Sequence, residues 1–87
     1  MTATELNTPR NLIARAIVYI EHEFVHPEGM IEINGGQWEE GLQECADRTW
    51  IGAGSLRGPE AFRTYRLADA AIASTPGLLA WAERIAP

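Results

Sequence analysis

The chain has 87 residues, a formal net charge of −5, 46% hydrophobic residues and one cysteine. A domain of this size buries only roughly 60% of the surface its unfolded form exposes, so a deep catalytic cleft competes with the core and a single domain over 1–87 is expected. No apolar run approaches the roughly 20 residues that cross a bilayer, and no basic stretch followed by an apolar core marks a secretory signal. The lone Cys45 gives no disulfide framework and suits a reducing cytoplasm, where it reads as a small buried hydrophobe on the apolar side of a helix.

Thr8-Pro9 predicts a helix start, with Thr capping and Pro in the first turn, where a missing N–H costs nothing. Leu12, Ile13, Ala16, Ile17, Ile20 and Phe24 then recur at helical spacing and predict a helix from about residue 9 to 25, ended by Pro27 and Gly29. Met30-Ile31-Glu32-Ile33 is too short for a helix and reads as a short extended segment, followed by a turn at Asn34-Gly35-Gly36. Asn34 also fits a helix cap, with Gln37 completing a capping box.

Trp38, Leu42, Cys45, Ala46, Thr49 and Trp50 fit a second helix over about 36–50, which Gly41 weakens by roughly 1 kcal/mol relative to Ala. Gly52 and Gly54 break it. Gly58-Pro59-Glu60 opens a third segment with Ala61, Phe62, Tyr65, Ala68 and Ile72 on one side, although the aromatic and Thr content of 62–67 also suits a strand. Thr75-Pro76 repeats the Thr-Pro start before a short final helix carrying Leu78, Leu79, Ala82 and Ile85. The fold class read from this pattern is mainly α, a compact bundle of three to four short helices, with a short β segment near 30–33 as the one extended element.

Charge is segregated along the chain. Between Ala16 and Asp47 stand eight acidic residues (Glu21, Glu23, Glu28, Glu32, Glu39, Glu40, Glu44 and Asp47) and no lysine or arginine, whereas the last 40 residues are rich in arginine. Such a segment repels phosphates and attracts basic protein surfaces, which disfavours direct nucleic acid binding. The missing interleaved cations, which support a passive helix surface through i,i+4 pairs, favour a functional reading of the carboxylates. Trp38, Trp50 and Trp81 read mainly as core, but Trp38 beside the acidic residues is the aromatic assigned to supply apolar affinity. The partner-binding residues expected on this basis are Glu32, Trp38, Glu39, Glu40, Glu44 and Asp47.

His22-Glu23-Phe24-Val25-His26 matches H-E-x-x-H, which on a helix presents two imidazoles to zinc and a carboxylate as general base. Here Pro27 follows the second histidine and disfavours helical backbone at His26, and both histidines point away from the apolar stripe. The preferred reading has no metal, no cofactor and no catalytic residue. The rival is a small zinc-dependent hydrolase with His22 and His26 as ligands, Glu40 or Glu44 as the third ligand and Glu23 as base. Gly52-Ala53-Gly54-Ser55 lacks the further Gly and Lys of a phosphate loop and reads as a connection.

Residues 67–83, Leu-Ala-Asp-Ala-Ala-Ile-Ala-Ser-Thr-Pro-Gly-Leu-Leu-Ala-Trp-Ala-Glu, form an Ala-rich stretch, a small-residue–Pro break and a Leu-Leu-x-x-Ala-Glu continuation. This segment resembles one that recurs in small bacteriophage accessory proteins; Gly77 stands where an acidic residue is common there. The resemblance implies a phage origin and carries no catalytic residues. Short acidic phage proteins often act by occupying a host surface, and inhibitors of CRISPR surveillance complexes, whose targets carry basic nucleic-acid grooves, belong to that functional class.

The expectation is therefore an anti-defence type of protein: a small acidic inhibitor or modulator that covers a basic, nucleic-acid-binding surface of a host complex. It makes no contact with nucleic acid or membrane. Self-association is a further possibility, because an acidic middle and an arginine-bearing C-terminal half can pair between copies.

Overall fold

A computed structural model describes residues 8–24, 33–47 and 59–85, leaving out the side chains of Asp47, Pro59 and Glu60. The first helix, α1 (Pro9–Glu23), begins as its sequence dictates. Thr8 holds extended backbone (φ −63°, ψ 149°), its hydroxyl accepts from the Asn11 N–H at 3.3 Å, and Pro9 follows in the first turn. Phe24 closes the helix at φ −125° while its N–H still donates to the Ile20 carbonyl at 2.8 Å.

α1 is buried well beyond one stripe. Leu12 through Ile17 are six consecutive buried residues, joined by Ile20 one turn on. An amphipathic helix on a flat layer buries roughly every third or fourth residue, so a continuous buried run means neighbours on several sides. Indeed α1 contacts all three other helices: α2 (Gly35–Asp47), α3 (Pro59–Ser74) and α4 (Leu78–Ile85).

α2 opens with a reciprocal capping box. The Gln37 N–H donates to Asn34 Oδ1 at 2.9 Å, and the Asn34 N–H donates to Gln37 Oε1 at 3.0 Å. These two bonds offset the poor helix propensity of Gly35 and Gly36, which start the helix where a turn was the first expectation. The extended segment expected near 30–33 lies outside the described residues except for Ile33, which belongs to no strand. Trp38, Gly41, Leu42 and Cys45 face inward at i, i+3, i+4, i+7.

Gly41 sets the spacing of α1 and α2. A Cβ at that position would stand 3.2 Å from Cδ1 and Cγ1 of Ile20 and 3.3 Å from Cβ of Ala16, so any larger residue makes these neighbours give by a few tenths of an ångström. The glycine that weakens α2 in isolation is what lets it pack.

α3 is helical throughout, including 62–67, where a strand was the alternative. Its inward side is Thr64, Tyr65, Ala68, Ala71 and Ile72, and Phe62 is not part of it: 77% of Phe62 is exposed. Phe62 lies about 100° around the helix from Ala61, one step off the Ala61, Tyr65, Ala68, Ile72 series to which it was assigned. Polar pairs tie α3 to α1. Arg10 donates through Nε and Nη2 to both carboxylate oxygens of Asp69 at 2.9 and 3.1 Å, and its guanidinium lies 4.4 Å over the Tyr65 ring. The Tyr65 hydroxyl donates to Asn11 Oδ1 at 2.7 Å.

The Thr75-Pro76 break does not start α4. Gly77 takes φ +82°, a left-handed conformation natural to glycine, and the helix begins at Leu78 with the Trp81 N–H donating to the Gly77 carbonyl at 2.9 Å. Leu78 and Ala82 complete the core formed by α1 and by Trp38, Leu42, Cys45 and Ala68. A Cα radius of gyration of 11.8 Å matches the roughly 12 Å of a compact domain of this length. The described residues form a mainly α bundle of four short helices without a strand.

Candidate partner-binding surface

The close α1–α2 seam at Gly41 puts carboxylates of both helices within electrostatic reach of the Tyr19 phenol. Glu40 and Glu44 project from successive turns of α2, and both act on Tyr19 of α1, as does Glu23. The Tyr19 hydroxyl is raised above its ordinary pKa, first by burial and then by the negative charge of Glu40, Glu23 and Glu44. Glu39 and Glu40 are exposed and Glu44 is half-buried. α2 carries no lysine or arginine, so this face has no cation of its own to neutralise it.

The expected site residues divide accordingly. Glu39, Glu40 and Glu44 share the outer part of α2, with Glu39 about 100° from Glu40 around the helix. Trp38 is different. It is 4% exposed and part of the core, because it is the first member of the inward series, so its ring is not available to anchor a partner. Glu32 lies outside the described residues, and Asp47 ends α2 with its side chain outside them.

The acidic segment also has a partner that local spacing does not reveal. Arg63 of α3 donates through Nη1 to Glu21 at 3.1 and 3.2 Å, which removes Glu21 from the unbalanced charge. The interval without a basic residue in sequence is thus partly balanced in space.

The H-E-x-x-H motif spans the end of α1. The helix carrying His22 ends at Glu23, and Phe24 has already left helical backbone, so the single helical face that presents both imidazoles is not built by α1. The His22 side chain is 72% exposed, with Nδ1 3.4 Å from Glu23 Oε1. His26 lies outside the described residues, and among the described ones no group of three His, Cys, Asp or Glu side chains is arranged to hold a metal.

Cys45 is 1% exposed and its thiol is pushed up to about 11, by burial first, with Arg15 opposing and Glu44 adding to the rise. At neutral pH it stays protonated and packs as a hydrophobe. Arg15 is itself buried at 4% exposure, a charged residue in the sequence position of a core one.

Two surface residues escaped the sequence reading: the exposed Phe62 and, one turn on, the exposed Arg66. Their signal was the helical period of α3, which excludes Phe62 from the inward series. Among the described residues no helix is long and apolar enough to cross a membrane. In class, the chain is a small helical bundle with an acidic outer face on α2. It matches no protein-family model, no curated protein and no solved structure.

Proposed function

We propose that this chain is a small acidic protein-binding inhibitor or modulator, phage-encoded, that covers a basic nucleic-acid-binding surface of a host complex such as a CRISPR defence complex. The observation that carries the reading is the outer side of α2, where Glu39 and Glu40 are exposed, Glu44 is half-buried and no lysine or arginine stands, with Glu23 of α1 adding its charge to theirs at Tyr19. Carboxylates held on two packed helices present fixed negative charge to a groove that otherwise receives phosphates, and complementary fields of this kind speed encounter and impose salt dependence. Trp38 has no part in the contact, so apolar affinity comes from elsewhere on the surface.

The test is retention of bacterial proteins by the immobilised chain and by its E39Q/E40Q/E44Q variant, at low and high salt. The reading expects basic nucleic-acid-binding proteins on the parent chain, displaced by added nucleic acid and lost from the variant. Equal retention by both, indifferent to salt, would rule the acidic face out.

A further inference from the structure

α3 turns a second face to solvent, away from α1. Phe62 stands 77% exposed there, and Arg66 lies one turn further along the same side. Among the described residues Phe62 is the most exposed large hydrophobic, ahead of Leu67 and Leu79, both under 40%. Arg66 also differs from its neighbours. Arg10 is engaged by Asp69, Arg63 by Glu21, and Arg15 is buried, whereas among the described residues no carboxylate pairs with Arg66. An exposed aromatic beside a guanidinium without a counter-charge is the composition that concentrates binding energy in protein interfaces.

The counter-charge is present elsewhere on the same molecule. The outer face of α2 offers Glu39, Glu40 and the exposed Gln43, with no cation among them. α2 and α3 each pack on α1 but make little contact with one another, so the two faces are carried by helices that do not pair within one copy. We infer that the Phe62–Arg66 face of α3 docks on the Glu39–Glu40 face of α2 in a second copy of this chain. Arg66 meets the carboxylates, and Phe62 lies on the aliphatic stems of Glu39 and Gln43.

Such a contact joins unlike surfaces, so it is head-to-tail. Each added copy leaves one acidic face and one aromatic–arginine face open, and assembly proceeds with concentration to a ring or a chain instead of stopping at a two-fold dimer. The faces are short stretches of single helices, which places the contact among weak, reversible ones, and its ionic part is screened by salt. The same α2 face then serves either a second copy or a basic host surface, so self-assembly and host binding exclude each other. The inference does not depend on the host reading, because its test contains only this chain.

Sedimentation of the full chain up to about 1 mM reads the assembly directly, at about 0.05 M and 0.5 M salt. The mean mass is expected to rise with concentration at the lower salt and to fall back toward the monomer at the higher. F62A and R66E are each expected to weaken association at least about tenfold; circular dichroism confirms that both stay helical. A mixture supplies the stricter readout. F62A/R66A keeps only its acidic face and E39R/E40R keeps only its Phe62–Arg66 face, so each alone is monomeric and the two together form a 1:1 complex that grows no further. A parent chain that is monomeric at every concentration overturns the inference, as does assembly that survives F62A and R66E, or a mixture that does not pair.

Discussion

Gly41 of α2 lies against Ile20 of α1 so closely that a methyl group there would stand 3.2 Å from two carbons of the Ile20 side chain. Two effects compete in Gly41→Ala. Helix propensity favours Ala by about 1 kcal/mol, while overpacking costs about 1–3 kcal/mol. Ile20 is fully buried and the third contact is Cβ of Ala16, fixed to its backbone, so neither neighbour can yield cheaply. The expected outcome is a net loss of about 1 kcal/mol, read as a lower urea midpoint with unchanged slope. A variant more stable than the parent would mean that the seam is looser than described.

The core position of Trp38 and the surface position of Phe62 make opposite predictions for the same kind of truncation. Trp38→Ala should cost about 3–5 kcal/mol, enough to unfold a domain this small under mild denaturant. Phe62→Ala should change stability by no more than about 0.5 kcal/mol, since its ring touches little of the core. Denaturant titration of the two variants side by side checks both, and comparable losses would contradict the inward series assigned to α3.

Asp69 titrates below the ordinary carboxylate range, chiefly because it accepts the paired hydrogen bonds of Arg10. A depressed folded pKa contributes stability that is present above the unfolded value near 4 and is lost as pH falls through the folded value. The bundle is therefore expected to weaken below about pH 4 partly through release of the α1–α3 clamp. In Arg10→Gln, the Asp69 titration followed by nuclear magnetic resonance should return toward its ordinary position. An Asp69 that titrates normally in the parent would remove this pair from the account.

Tyr19 reports on the carboxylates around it. Its pKa is raised by burial first and then by Glu40, Glu23 and Glu44, so the E39Q/E40Q/E44Q variant should titrate Tyr19 at lower pH than the parent. Because burial remains and Glu23 is untouched, the value should stay above the ordinary one of a tyrosine. Ultraviolet titration of the phenolate gives both curves, and coincident curves would show that the carboxylates do not converge there.

Local chemistry in the sequence carried over well. Thr8-Pro9 starts α1 and Asn34 with Gln37 caps α2, because each motif satisfies backbone donors within three or four residues. The features that were hidden depend on residues far apart in the chain. The need for glycine at position 41 comes from Ile20, and the neutralisation of Glu21 comes from Arg63, 42 residues away. Neither leaves a mark on helical period. Trp38 was half legible: its place in the inward series predicted burial, while its acidic neighbours suggested a contact, and packing decided for burial. Gly77 punctuates the last helix through its left-handed backbone, a role that the Thr-Pro pair before it masked. Of the proposed acidic contacts, Glu39, Glu40 and Glu44 were legible because a 13-residue helix with one apolar stripe must place the rest outward.

The most direct measurement is the dissociation constant of the chain for a retained host protein as a function of salt, for the parent and for E39Q/E40Q/E44Q. The account predicts affinity that falls steeply with salt in the parent, and a variant at least about tenfold weaker with a flatter slope. Equal affinities and equal slopes would contradict it.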